Sequence, residues 1–182
     1  MMVEAGHLAL CLALALSVLL TVFPFVGAVR AQQQPILLAR PIALLMFIAT
    51  AFSFYALSYA FWVNDFSVLY VANNSNSMLP WYYRLTAVWG SHEGSMLLWL
   101  LILAGWIAAV AIGARQLPLL LQGRILGVLG LVAVGFNAFV LVMSNPFERT
   151  LPFYPVDGRD LNPLLQDFGM IIHPPMLYMG YV

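Results

Sequence analysis

Four long stretches of this chain carry almost no polar side chain: roughly Leu8 to Ala28, Ile42 to Val63, Met96 to Ala114 and Ile125 to Met143. A helix that crosses a bilayer needs about 20 such residues, each adding about 1.5 Å. Each stretch is therefore expected to be a membrane-spanning helix. Arg30 and Arg40 flank the short link between the first two, and Arg115 and Arg124 flank the link between the third and fourth. Short loops that carry arginine collect on the cytoplasmic side, so the N-terminus and both longer polar segments are expected to face the other side of the membrane. The segment leading into the first stretch carries Glu4 and no Lys or Arg. It lacks the basic start of a cleaved signal peptide and is expected to stay as a span.

The polar segments carry their own punctuation. Phe66 to Val71 favours a strand, and Asn73-Asn74-Ser75-Asn76-Ser77 a turn. Trp81, Tyr82 and Tyr83 suit the headgroup level. Pro146, Pro152, Pro155 and Pro163 bar a long helix from the later segment, which reads as an ordered loop turning at Asp157-Gly158. Pro174 suits a first helical turn, and a residue before proline is pushed toward extended backbone. A fifth helix is therefore expected from Pro174, with His173 just outside it at the membrane rim. The nine residues Pro174 to Val182 reach about 13 Å as helix, against a hydrocarbon core of about 30 Å. That helix stops partway, so the chain is expected to be one part of a longer protein.

The expected fold class is thus an all-α integral membrane protein with four transmembrane helices, the start of a fifth, and two ordered periplasmic segments. Its parts are the first two spans (1–63), a periplasmic segment (64–95), spans three and four (96–143), a periplasmic loop (144–172), and the terminal His with the truncated helix (173–182).

Composition agrees with the pattern. Hydrophobic residues make up 63% of the 182 and charged residues 8%, too apolar for an ordinary soluble domain. Net charge is zero and lysine is absent, which leaves no basic footprint for nucleic acid. Lone Cys11 has no disulfide partner and reads as a small buried hydrophobe.

Chemistry is densest in Trp89-Gly90-Ser91-His92-Glu93-Gly94-Ser95-Met96-Leu97-Leu98-Trp99. On a continuous helix His92, Trp99 and Trp106 share one stripe, and Gly90 and Gly94 sit one turn apart beside it. Indole rings beside bare backbone suit a large flat apolar ligand such as a porphyrin. The same spacing suits two helices in close approach, and a tryptophan near a helix end suits the lipid interface. The residues alone leave both readings open. His92 and Met96, one turn apart on one helix, could not grip opposite faces of one porphyrin. His173 before a helix start would be held as neutral imidazole by the dipole, the form that ligates a metal; as a packing residue it would do nothing of the kind.

Tyr83-Arg84, Trp89 to Trp99, Ser144-Asn145-Pro146-Phe147, Gly158 to Asp167, His173-Pro174-Pro175 and Leu177 to Val182 together resemble, in the same order, the start of the CcmF family. These are the haem lyases of bacterial cytochrome c maturation, within the haem-handling membrane proteins named for a tryptophan-rich segment. Phe168 stands where the family pattern carries proline. The resemblance implies residence in the bacterial inner membrane, in contact with lipid. It implies that haem arrives from a periplasmic haem chaperone and is joined, with a thioredoxin-like thiol partner, to the two thiols of a Cys-x-x-Cys-His apocytochrome c. By the same resemblance Trp89, Gly90, His92, Glu93, Gly94 and Trp99 belong to the outer haem platform, and His173 is an axial ligand to the iron of the incoming haem b. The second external ligand and the histidines for a resident haem match nothing here, so this part alone is expected to be inactive. Arg84, Arg149 and Arg159 are candidates to meet the haem propionates.

Alternatives remain at this level. A related assembly subunit for a multihaem nitrite reductase carries the same motifs. A proton-translocating subunit would use His92 and Glu93 as relay groups, although no other ionisable group lies mid-span. A plain membrane scaffold would leave the outer motifs idle.

Overall fold

The computed structural model describes residues 1–113, 117–150 and 152–182. Arg115, one of the topological arginines, lies outside them. The helices are α1 (Met2–Arg30), α2 (Gln33–Leu37), α3 (Ala39–Trp62), α4 (Leu69–Asn74), α5 (Trp81–Thr86), α6 (His92–Gly113), α7 (Leu119–Met143) and α8 (Phe168–Tyr181). Short 3₁₀ turns cover Ala87–Trp89 and Pro163–Leu165. Among the described residues there is no strand. Four helices, α1, α3 with its α2 lead-in, α6 and α7, are long and apolar enough to cross a membrane, as the four apolar stretches predict.

These four form a ring. α1 packs on α3 and α7, and α6 closes the circle against the same two. Small residues let α1 and α7 approach: a Cβ at Gly130 would lie 2.9 Å from the backbone of Leu20 and Thr21, and one at Gly127 3.1 Å from the Phe25 ring. In lipid, where apolar burial gives helices little drive to associate, such close contact is the main source of attraction. Outward-facing positions are themselves apolar, Leu12, Ile48, Trp106 and Leu131 among them. Cys11 also faces outward, so the expected buried role is corrected; its position on α1 turns it away from α3 and α7. Buried hydroxyls and amides inside the ring bond back to their own helices, Thr50 Oγ1 donating to the Met46 carbonyl at 2.9 Å and Asn137 Nδ2 to that of Ala133 at 2.9 Å. Those bonds spare the two donors an unpaired state in an apolar interior.

The two polar segments fold over one end of the ring. The strand expected over Phe66 to Val71 is replaced by helix α4 from Leu69, leaving a single antiparallel bridge between Val68 and Arg149. There the Leu69 amide donates to the Glu148 carbonyl at 2.8 Å and the Thr150 amide to that of Ser67 at 3.0 Å. β-branched and aromatic composition favours a strand only where a neighbouring strand continues the ladder, and the prolines of the later segment end it. Further out, Asp157 accepts from the Ser77 amide at 2.9 Å and from the Ser77 hydroxyl at 2.7 Å. These bonds, the hydroxyl's first, hold the Asp157 carboxyl below its ordinary pKa. A carboxyl depressed in the folded state contributes stability above its unfolded pKa and loses it as pH falls through the folded one. Protection of the Ser77 amide, its exchange rate taken relative to the intrinsic rate at the same pH, is therefore expected to fall below about pH 4 and to be constant between about pH 6 and 8.

α8 starts earlier than expected. Asp167 caps it, accepting from the Gly169 amide at 2.7 Å, and Phe168 takes the first helical position, which is where proline is well tolerated. His173, Pro174 and Pro175 consequently lie inside the helix, correcting the expectation that His173 precedes it. The prolines leave the carbonyls of Met170 and Ile171 without intrahelical donors, a local cost offset by the Asp167 cap and by packing on α6.

Candidate functional site at the loop-covered end

The tryptophan-bearing stretch is two elements rather than one. After the 3₁₀ turn Ala87–Trp89 the chain bends through Gly90 and Ser91, and α6 begins at His92. His92, Trp99 and Trp106 do share α6, whereas Gly90 and Gly94 are not neighbours on one helix. Gly94 presents no bare patch either. A Cβ there would lie 1.6 Å from the Val88 carbonyl oxygen and 2.7 Å from Tyr70 Oη, so its face is covered by the chain's own backbone. Gly90 is the less crowded of the pair, yet its missing Cβ would still lie 3.2 Å from the Leu161 side chain and 3.3 Å from the Ala87 carbonyl oxygen.

The expected platform residues separate into several environments. Trp89 stacks on Phe54 of α3, rings 6.5 Å apart and 17° from parallel. Trp99 points to the other flank and lies against Phe136 of α7, centroids 3.8 Å apart. His92 is exposed, yet its Nδ1 pairs with Ser144 Oγ at 2.9 Å, with Phe139 edge-on. Met96 is partly buried against the core, consistent with packing. Glu93 lines a polar cavity of about 310 Å³ with Tyr70, Asn145, Glu148 and Arg159.

The arginines divide likewise. Arg84 donates to the carbonyls of Trp62 at 3.3 Å, Ser77 at 3.4 Å and Leu79 at 3.1 Å. It stitches the end of α3 to the loop before α5, and its outer nitrogens are spent on backbone. Arg149 pairs with Asp65 at 3.4 Å and also with Glu4 and Ser67, tying the start of α1 to the bridge. Both serve as structural clamps in this arrangement. Arg159 is exposed at the polar cavity, and among the described residues no carboxylate pairs with it.

A second cavity, of about 200 Å³, brings α8 against the tryptophan turn: Thr86, Trp89, Gly90 and Ser95 form one side, Leu161 and Leu165 the floor, Pro174 and Tyr178 the other side. His173 precedes Pro174 and is exposed, outside the residues that line this cavity. Thr86 and Tyr178, 92 sequence positions apart, thus share one rim, which periodicity alone does not reveal.

One contributor escapes the sequence altogether. Tyr70 is buried, and its hydroxyl lies 3.0 Å from the Val88 carbonyl and accepts from the Ser91 amide at 3.2 Å. Burial pushes its phenol well above the ordinary pKa, so the hydroxyl keeps its proton. Nothing in the local pattern marks it, since its partners lie 18 and 21 residues on.

A ring of four membrane-length helices with two polar segments folded over one end defines a multi-pass membrane protein. The chain belongs to the family described as Cytochrome C assembly protein, whose model matches residues 89–182. It is 58% identical over its whole length to the cytochrome c-type biogenesis protein CcmF of Pseudomonas aeruginosa and 53% identical to that of Escherichia coli. A solved structure named cytochrome c heme lyase CcmF superposes over 100% of the chain with a TM-score of 0.85 at 27% identity. In each case the chain spans 28% of the length of the protein it matches.

Proposed function

We propose that this chain forms the outer-face haem-handling part of a membrane haem lyase, which presents haem for thioether attachment to apocytochrome c. The carrying observation is the cavity that sets α8, through Pro174 and Tyr178, against Trp89 and Gly90; His173 is the exposed residue next to Pro174 on that helix. At about 200 Å³ it is smaller than the roughly 300–1,000 Å³ of a pocket that swallows a whole ligand. It suits the edge of a porphyrin whose disc lies along the rim.

In this reading His173 supplies an axial nitrogen to the iron, and Trp89 offers an aromatic wall stiffened by Phe54. Axial coordination fixes the disc, so the vinyl groups are held for attack by the incoming thiols, and positioning of this kind is a large part of catalytic rate. The porphyrin brings its own electrophilic vinyls; the protein orients them and keeps the disc out of bulk water. Arg159 remains as the cation for a propionate, while His92 serves α6–α7 packing through Ser144. Haem delivery by a periplasmic chaperone, thiol supply by a thioredoxin-like partner, and residence in the bacterial inner membrane with this face periplasmic complete the proposal. Service to a multihaem nitrite reductase has less support, since the relatives at 58% and 53% identity carry the CcmF name. A relay through His92 and Glu93 is disfavoured, because the two groups face different surroundings.

Orientation is open to direct test. A reporter fused after Gln32 is expected to score cytoplasmic and one fused after Gly158 periplasmic. The opposite pattern would put the cavity on the wrong side for haem delivered from outside.

A further inference from the structure

We propose that Tyr70 is a positioning residue for the tryptophan-bearing turn, its hydroxyl holding the angle between Trp89 and α6; this rests on the haem-handling reading above. The hydroxyl bonds on both sides of Trp89-Gly90, 3.0 Å from the Val88 carbonyl and 3.2 Å from the Ser91 amide. Those are the last strut before the bend and the first after it. Gly94 completes the lock from below, since only a residue without Cβ lets the Val88 carbonyl lie over α6.

Tyr70 is itself braced. Its ring meets Phe61 of α3 edge-on at 5.4 Å, and Asn74 Nδ2 donates to its carbonyl at 2.9 Å. α4 is also where the second polar segment attaches, through Leu69 to Glu148 at 2.8 Å and Arg159 to Ala72 at 2.7 Å. One hydroxyl therefore joins the tryptophan turn to the short helix on which both polar segments converge. Val88 is fully buried, so its carbonyl has no ready substitute partner if the bond is lost, while the half-buried Ser91 amide is left to the adjoining polar cavity.

The test uses the full-length protein. Tyr70→Phe deletes one oxygen and keeps the ring against Phe61; Tyr82→Phe, at an exposed ring, is the control. Tyr70→Phe is expected to accumulate normally and to speed amide exchange over 88–92 by roughly three- to tenfold. The hemin concentration for half-maximal holocytochrome formation should rise by a similar factor, with the maximal rate at saturating hemin retained. A residue that only supports the fold would lower the maximal rate with the amount of protein. Parental exchange in Tyr70→Phe overturns the positioning role. So does parental hemin dependence in Tyr70→Phe beside a loss in His173→Ala. Parental hemin dependence in both variants, with exchange accelerated, overturns the haem reading, and the functional half of this inference with it.

Discussion

His173→Ala in the full-length protein is expected to remove holocytochrome formation while the protein still accumulates. His173 is exposed on α8, and among the described residues its ring has no hydrogen-bond partner, so truncation leaves no cavity and no orphaned group in the fold. Its neighbours do the structural work: Pro174 and Tyr178 face the tryptophan turn, and Asp167 caps the helix. Loss of a group next to a metal ligand typically costs about 10–100-fold in affinity or activity, so loss of the ligand itself should cost at least roughly a hundredfold. Holocytochrome yield by haem stain, normalised to the amount of full-length protein, measures it. Parental yield would make His173 a bystander on an exposed helix face.

Gly94→Ala is expected to be the most damaging small substitution in the chain. The added methyl would stand 1.6 Å from the Val88 oxygen and 2.8 Å from the Val88 carbonyl carbon, backbone that no side-chain rotation can clear. The tryptophan turn must lift, which breaks the Tyr70 bonds as well. Overpacking of about 1–3 kcal/mol adds to about 1 kcal/mol for each lost bond, giving a destabilisation of about 3 kcal/mol or more. Gly105→Ala on the same helix supplies the contrast: its Cβ meets only Phe47 at an ordinary 3.6 Å, and alanine gains up to about 1 kcal/mol in helix propensity. Thermal unfolding of the two variants in detergent should shift in opposite directions. A Gly94→Ala protein as stable as its parent would mean the Val88 carbonyl does not lie over α6.

These two residues mark the boundary of what the sequence discloses. Membrane spans are legible because a run of apolar residues must be helical in lipid, where no water can satisfy the backbone, and the four helices follow the four runs closely. Crowding of chemistry at one end is legible from the same pattern, since ionisable groups avoid the spans. Contacts between distant segments are not. Arg84 looks like a free cation until its three backbone carbonyl partners are seen, and Gly94 looks like an open patch until Val88 lies on it. The start of α8 is legible in principle, because Asp167 before an apolar run is a capping signal; the paired prolines compete with it as a helix-start signal. Tyr70 had no local signal, sitting in a stretch whose composition favours a strand and acting on residues 18 to 21 positions later.

The central claim is that haem arriving at the loop-covered end takes His173 as an axial ligand beside the tryptophan turn. Its most direct measurement is the electron paramagnetic resonance spectrum of ferric haem supplied to the full-length protein, recorded for the parent and for His173→Cys. Replacing imidazole by thiolate changes the ligand field at the iron, so the parent signal should give way to a thiolate-type signal on the same amount of protein. An unchanged spectrum in His173→Cys would contradict the account, because the iron would then be held by other residues.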